Sequence, residues 1–266
     1  MTELTAYLTG IGVVGPGLAD WPATAAILAG QRPYAYADPV LPLPETLAPT
    51  ERRRAGRVVR LALAVGLEAT RRAGRNPAEL PVVFASSGGD GDNCDAICQA
   101  LASPNRALSP TRFHNSVHNA PAGYWSIAAG ARVASTTVCC YDASFAAGLL
   151  ETLVQCVSTG VETALIAYDL DYPPPLRAAR ATTPPFGVAL LLHPAPVDGA
   201  LARLSARVAP GTPDRLDYAQ LSSLAATNPA ARSLLLLEAI ARRRTGAVKL
   251  PYLEPATLRV EVTPCG

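Results

Sequence analysis

Long apolar runs are missing from this sequence. No stretch approaches the roughly eighteen uninterrupted apolar residues that a membrane-spanning helix needs. The first residues also lack a basic start followed by a cleavable apolar core, which is the pattern of a secretory leader. We therefore expect a cytoplasmic protein with no membrane span.

Histidine is scarce, with three residues in 266, and the six cysteines form no recognisable framework. Cys139 and Cys140 are adjacent, unlike the spaced cysteines of a secreted disulfide scaffold. Cys94 and Cys98 lie one helical turn apart and can approach a metal together. However, no second cysteine pair or well-spaced histidine completes a set of four ligands. We expect no metal site and no cofactor.

Charge is limited and nearly balanced. Charged residues make up 17% of the chain, hydrophobic residues 49%, and the formal net charge is +2, which is typical of a globular protein with a full core. Arginines 242–244 close a predicted helix and cap its carbonyl groups. Arginines 52–54 lie at the start of another predicted helix, where they cannot cap carbonyl groups. They are therefore suited to contact an acidic partner. The scattered basic residues argue against nucleic-acid binding.

Residues 133–160 are the stretch around which the chain is organised. Residues 133–138 are mostly small or β-branched and predict a short buried strand. After a turn at Tyr141, apolar residues recur at helical spacing until Gly160 ends the predicted helix; they are Phe145, Leu149, Leu153, Cys156 and Val157. Cys139 and Cys140 then lie at a strand end facing a helix N-terminus, where backbone amides lower the pKa of a thiol. The pattern fits a nucleophile, and it also fits two small residues that fill a tight turn.

The rest of the chain alternates strands and helices. Further strands are predicted at 5–14, 81–87, 162–169 and 186–192, with short extended segments at 247–252 and 258–263. Helices are predicted at 21–29, from Thr50 to Gly74, at 92–102 and at 231–243. In the helix from Thr50, the expected buried stripe is formed by Val58, Leu61, Ala62, Val65 and Ala69. This alternation predicts the α/β class, with a largely parallel or mixed sheet covered by helices on both faces.

The first strand contains glycines 10, 12 and 15, which formally match the dinucleotide fingerprint G-x-G-x-x-G. The fingerprint needs a helix to begin at these glycines, because its N-terminus holds the pyrophosphate. Here Pro16 and Gly17 follow, and the helix starts only at about Trp21. We expect the glycines to serve a closely packed strand that leads into a turn.

Residues 112–127 concentrate polar and aromatic side chains. His114 and His118 are four residues apart and can share a helix face, as zinc ligands do, but the glutamate of the H-E-x-x-H motif is absent. The structural alternative is a buried loop whose polar side chains bond to the backbone.

Several motifs together resemble the N-terminal half of a beta-ketoacyl synthase. In order, they are Thr9-Gly10-Ile11-Gly12-Val13-Val14, the long helix ending Ala73-Gly74, Asn119-Ala120-Pro121-Ala122-Gly123 before a strand, Cys139, and the strand 186–192. The resemblance covers about the first 195 residues. Segments 113–119 and 141–148 resemble more closely the short ketosynthase-like chain-length-factor subunits of aryl polyene pathways.

The resemblance implies an α/β thiolase-like (condensing-enzyme) fold, with a mixed sheet covered by helices and a truncated C-terminal half. A single domain would span 1–266, in which 196–266 is a shortened C-terminal extension. In a ketosynthase, a cysteine accepts the acyl chain, and two histidines of the C-terminal half drive decarboxylation and stabilise the enolate. Cys139 falls at the position of that cysteine, yet only His193 follows it.

The resemblance therefore implies a non-catalytic chain-length factor. It would form a heterodimer with a catalytic ketosynthase, shape the acyl pocket across the interface in polyene or fatty-acid-like polyketide biosynthesis, and meet the acyl carrier protein through that complex. The implied pocket and interface residues are Phe113, His114, Asn115, His118, Asn119 and Trp125, with the helix after Gly91. The alternative is an autonomous acyltransferase or thioesterase that uses Cys139, with His114 or His118 as base, and it requires an imidazole within hydrogen-bond reach of the thiol.

Overall fold

A single mixed sheet runs through the protein. The computed structural model describes residues 3–266, which form eight strands. The strands are β1 (Leu4–Val14), β2 (Val82–Ala85), β3 (Ser135–Val138), β4 (Thr163–Asp169), β5 (Phe186–His193), β6 (Ala202–Pro210), β7 (Gly246–Pro251) and β8 (Ala256–Pro264). Their order across the sheet is β3-β2-β4-β5-β1-β6-β8-β7. Strand β2 is parallel to β3 and β4, and the other pairings are antiparallel, so the predicted mixed sheet is confirmed.

Helices cover both faces of the sheet, as predicted. They are α1 (Trp21–Leu28), α2 (Pro49–Arg54), α3 (Arg57–Arg72), α4 (Gly91–Ala102), α5 (Pro110–His114), α6 (Ala120–Ala129), α7 (Ser144–Thr159), α8 (Pro174–Ala179), α9 (Ala219–Thr227) and α10 (Leu234–Ala241). Helices α3 and α6 pack on one face, and α1, α7 and α10 on the other. None of these helices is long and apolar enough to cross a membrane.

Helix α3 lies directly on β1. Its predicted buried stripe is confirmed: Val58, Leu61, Ala62, Val65 and Ala69 are all buried. Close approach is possible because β1 presents glycines to the helix. A Cβ on Gly12 would lie 2.1 Å from the carbonyl oxygen of Val65, and one on Gly10 would lie 2.6 Å from that of Ala69. The G-x-G glycines therefore serve strand–helix packing, as expected.

Two predicted elements differ in the structure. The long helix expected from Thr50 is broken at Ala55, whose backbone is extended (ψ 108°), because Gly56 caps the separate helix α3. The strand predicted at 133–138 was expected to be buried. Strand β3 instead spans four residues that are exposed or half-buried, because it forms the edge of the sheet and has no strand on its outer side within residues 3–266.

The C-terminal residues extend the same sheet. Strand β6 pairs with β1, and the β8–β7 hairpin continues the sheet beyond β6. The segments predicted at 247–252 and 258–263 are confirmed as β7 and β8, whereas β6 and α9 were not predicted. Residues after 195 thus add strands beside β1, on the side away from β3.

Candidate functional site

Cys139 directly follows the carboxyl end of β3, as predicted, and β3 is the edge strand of the sheet. Because β2 and β3 are parallel, the loop after β2 meets the turn after β3. The Cys139 thiol is exposed, and its Sγ donates a hydrogen bond to the carbonyl oxygen of Ser87 at 3.1 Å. Partial burial raises the pKa of the neighbouring Cys140 thiol, and the proximity of Cys139 adds to this effect.

A tight turn joins β3 to α7. The Ser144 hydroxyl accepts the amide hydrogen of Cys140 at 3.0 Å and donates to the carbonyl oxygen of Tyr141 at 2.7 Å. Tyr141 has a left-handed backbone, with φ +51°. Helix α7 then runs to Thr159 and ends at Gly160, where φ is +68°, as the sequence predicted. The apolar residues of its inner face are buried, but Val157, which was expected among them, is exposed.

Two arginines bind the carboxylate of Asp142, and we call these three residues the Asp142 clamp. Arg180 donates to Oδ1, and Arg232 donates to Oδ2 at 2.9 Å. Arg180 also donates to the Ser87 hydroxyl at 2.7 Å and to the Tyr172 hydroxyl at 3.1 Å. The clamp thus connects the Cys139 turn to the loop after β2 and to the segment before α10.

A second carboxylate, Asp169, lies fully buried at the end of β4. It accepts hydrogen bonds from the Ser87 amide at 2.8 Å, the Ser86 hydroxyl at 3.2 Å and the Ala230 amide at 3.1 Å. Burial raises the pKa of Asp169 to about 7, although these donors and the charge of Arg180 favour the ionised form. Asp169 therefore holds the loop that supplies the hydrogen-bond acceptor of Cys139.

The histidines bond elsewhere. His118 contacts the carbonyl oxygen of Ser86 through Nε2 at 3.2 Å, beside the residue that Cys139 contacts. His114 lies edge-on to the ring of Tyr124, with centroids 6.2 Å apart, and Nδ1 of His193 lies 2.8 Å from the carbonyl oxygen of Ala195. Within residues 3–266 no histidine is hydrogen-bonded to Cys139. His114 ends α5, so His114 and His118 do not share a helix.

The other predicted pocket residues divide between surface and core. Phe113 is 68% exposed, and Asn119 is exposed just before α6. Asn115 is buried: it donates to the carbonyl oxygen of Arg54 at 2.9 Å and accepts from the Tyr124 hydroxyl at 3.2 Å. Trp125 is only 2% exposed and lies in the core, where it packs edge-to-face on Phe84. The prediction that Trp125 faces a pocket or interface does not agree with this position.

Helix α4 follows the loop after β2 and is the least buried of the longer helices. Only Gly91 and Asn93, in its first turn, are buried. The side chains of Cys94, Ile97, Cys98 and Leu101 recur at helical spacing and are exposed or half-buried. We call these four residues the α4 stripe. Within residues 3–266 no group of three or more metal-ligating side chains converges, so Cys94 and Cys98 remain an isolated pair.

Comparison with known proteins identifies the family. The profile of the beta-ketoacyl synthase N-terminal domain matches residues 28–252. The chain belongs to the beta-ketoacyl synthase family. The match extends past residue 195, where the recognisable sequence motifs end, and so includes β6 and the whole of β7. No curated protein matches the sequence significantly.

Solved structures share the thiolase-like fold of this ketosynthase-family chain. A chain from a ketosynthase in complex with its chain length factor from Xenorhabdus doucetiae aligns with a TM-score of 0.74 and 24% identity, covering 97% of this chain and 99% of that chain. A chain of the ishigamide ketosynthase/chain length factor aligns with a TM-score of 0.72 and 16% identity, covering 98% and 100%. A chain from a type II polyketide synthase complex of a ketosynthase with its acyl-carrier protein aligns with a TM-score of 0.74 and 12% identity, covering 99% of this chain and 100% of that chain.

Proposed function

We propose that this chain is the chain-length-factor subunit of a ketosynthase heterodimer, and that it walls part of the acyl pocket rather than forming bonds itself. Its family membership supports this proposal, and so do structural neighbours whose descriptions name ketosynthases with chain length factors. The observation that carries it is the partly exposed apolar stripe of helix α4, which follows β2, the neighbour of the open edge strand β3.

The two edges of the sheet differ. At β7 the outward-facing backbone of Lys249 is occupied: its amide donates to Asp214 Oδ2 at 2.8 Å, and its carbonyl oxygen accepts from the Asp214 amide at 3.0 Å. At β3 no segment of residues 3–266 pairs with the outer side. An unpaired edge strand is a template for pairing with another chain. This asymmetry supports docking of the ketosynthase along β3.

The α4 stripe supplies the second part of the surface. A helix usually buries its apolar stripe against its own domain. In α4, however, Leu101 is 48% exposed, and Cys94 and Cys98 are also exposed. The large apolar side chains Phe113, Val117, Ile127 and Val133 are also exposed on the segment that connects α4 to β3. Interaction sites are typically contiguous exposed apolar patches, and we propose that these side chains contribute to one.

The chemistry of the α4 stripe favours a hydrocarbon-like acyl chain. Ile97 and Leu101 offer no hydrogen bonds, and the thiols of Cys94 and Cys98 are weak donors. A poly-β-ketone chain against this wall would lose hydrogen bonds to water at its carbonyl groups without replacement. An alkyl or polyene chain loses none. We therefore propose polyene or fatty-acid-like products, with the carrier protein meeting this chain through the complex.

Coexpression with a ketosynthase encoded beside it, followed by size-exclusion chromatography, tests the pairing. We expect a heterodimer whose product length depends on α4. Leu101→Ala deepens the pocket and should lengthen the product, and Leu101→Trp should shorten it. Val40→Ala, at a residue 83% exposed in the proline-rich connection, is the matched control and should leave product length unchanged. A homodimer of this chain that elongates acyl carrier protein substrates unaided would refute the proposal.

Cys139→Ala separates this role from the autonomous enzyme. The partner role predicts unchanged turnover in the reconstituted complex, whereas an acyltransferase or thioesterase would lose activity. His118 is the candidate base for this test, because it and Cys139 contact the carbonyl oxygens of the adjacent residues Ser86 and Ser87. A parallel loss of activity in Cys139→Ala and His118→Ala would favour the enzyme.

A further inference from the structure

Tyr141 occupies a position that neither its backbone nor its burial explains. It is a bulky residue with φ +51°, and its side chain is 62% exposed. A left-handed backbone crowds the Cβ against the chain and is disfavoured for residues other than glycine and asparagine. Glycine would therefore fit this turn with less strain. An exposed aromatic ring held at a strained position indicates a role outside the fold of the isolated chain.

The Tyr141 ring is nevertheless held in place. The guanidinium of Arg180 lies 3.9 Å from the ring centroid, in cation–π geometry. That guanidinium is fixed in turn by hydrogen bonds to Asp142, Ser87 and Tyr172. Because Arg180 is bound along its edge, its flat face is a rigid support for the tyrosine ring. A side chain that is already ordered loses little conformational entropy when a partner covers it.

Tyr141 is also continuous with the open edge of the sheet. Only the exposed Cys139 and the half-buried Cys140 separate it from the last residue of β3. The arginine beneath the ring is ion-paired with the carboxylate of Asp142, which it shares with Arg232. A partner that covers Tyr141 therefore does not bury Arg180 without an ion-pair partner, which would oppose binding.

We propose that Tyr141 is an anchor residue for the ketosynthase partner, whose surface covers the free face of the ring next to β3. This inference rests on the proposed function, since it names a contact within the same heterodimer. The partner surface has to be apolar against the ring face and has to offer one hydrogen-bond acceptor to the hydroxyl. Buried aromatic anchors of this kind contribute much of the binding energy of an interface.

The test measures the dissociation constant of the heterodimer and the thermal midpoint of the isolated chain for four variants. Tyr141→Ala and Tyr141→Gly should each weaken binding at least about tenfold. Tyr141→Phe keeps the ring and should weaken binding less than the other two Tyr141 variants do. Tyr141→Gly should leave the thermal midpoint unchanged or raise it, because glycine relieves the left-handed backbone. Tyr36→Ala, at a tyrosine with the same 62% exposure in the proline-rich connection, is the control and should bind as the unmodified chain does.

The outcomes separate the two proposals. If the unmodified chain binds the ketosynthase and Tyr141→Gly binds equally well, the anchor is refuted while the heterodimer stands. If Tyr36→Ala weakens binding as much as Tyr141→Ala, the effect is not specific to the β3 edge and the anchor is again refuted. If the unmodified chain does not bind a ketosynthase at all, the proposed function fails, and the anchor fails with it.

Discussion

The carboxylate of Asp169 accepts the amide hydrogen of Ser87 at 2.8 Å. This bond joins the end of β4 to the loop after β2. In that loop, the carbonyl oxygen of Ser87 accepts a hydrogen bond from the Cys139 thiol. A buried acid therefore lies behind the exposed turn that carries Cys139. Its ionisation affects the stability of that region.

Stability should fall as pH rises through neutrality because of Asp169. The pKa of this carboxyl is raised to about 7 by burial, against about 4 in an unfolded chain. Between these two pKa values only the folded state keeps the proton. The stabilisation is therefore complete below about pH 4 and is lost as pH rises through about 7. The free energy of unfolding falls by at most about 1.4 kcal/mol per pH unit in this range. Arg180, Tyr168 and Tyr172 also face the carboxyl. The arginine favours the ionised form of Asp169. Burial raises the pKa of Tyr168, and the negative charge of Asp169 adds to this effect.

Urea unfolding of the isolated chain from pH 5 to 9 measures this effect. Asp169→Asn removes the titration, so its stability profile should be flatter than that of the unmodified chain. It should also be less stable by about 1–3 kcal/mol, because an amide cannot accept all three hydrogen bonds. Equal pH slopes in the two proteins would contradict the assignment.

Trp125 and Phe113 should behave oppositely, although both come from the same predicted segment. Trp125→Ala removes a core side chain that packs on Phe84 and should cost about 3–5 kcal/mol of unfolding free energy. Phe113→Ala removes an exposed ring and should change the stability of the isolated chain by less than about 0.5 kcal/mol. Chemical denaturation of both variants checks this, and a large loss in Phe113→Ala would show that this ring is packed within the chain.

Two glycine substitutions should change stability in opposite directions. Gly12→Ala places a methyl group 2.1 Å from the carbonyl oxygen of Val65 and should destabilise the protein by about 3 kcal/mol, because β1 and α3 would have to separate. Gly123→Ala, in α6, meets no atom within 4 Å and should stabilise by about 0.5–1 kcal/mol through helix propensity. Thermal or urea unfolding measures both. A neutral Gly12→Ala would rule out the close strand–helix contact.

Thiol reactivity should distinguish Cys156 from Cys139. Burial raises the pKa of the Cys156 thiol to about 11, and its Sγ donates to the carbonyl oxygen of Leu192 at 3.1 Å. Since the thiolate is the reactive form, Cys156 should be alkylated only after denaturation. Cys139, Cys94 and Cys98 are exposed and should react in the native chain. Peptide mass spectrometry after timed iodoacetamide treatment reads out each site, and native labelling of Cys156 would contradict the prediction.

Elements with a clear apolar period could be predicted from the sequence. Helix α3 was recognisable because its buried residues repeat at helical spacing, and α7 because Gly160 ends such a pattern. Strand β6 was missed, although Leu204, Ala206 and Val208 alternate with polar residues, which is a usable strand signal. The exposure of β3 was not predictable in the same way, because the composition of a strand does not specify what lies on either side of it.

Much of the site depends on long-range contacts. Asp142 bonds to arginines 38 and 90 positions further along the chain, and no local pattern marks these three residues as partners. Cys139 was found because a resemblance to a family indicated its position. The core position of Trp125 was missed because a polar neighbourhood in sequence gave no information about which side of α6 faces the sheet.

The contact between Asp214 and the edge strand β7 affects how many chains can add to the sheet. A sheet that is free on both sides can add chains without limit and form fibres. Here Asp214 bonds both outward backbone groups of Lys249 in β7, whereas no segment of residues 3–266 pairs with the outer side of β3, so strand addition is favoured at β3. Once a neighbour has paired with β3, a further chain has to displace Asp214 to pair along β7, which disfavours growth beyond a pair.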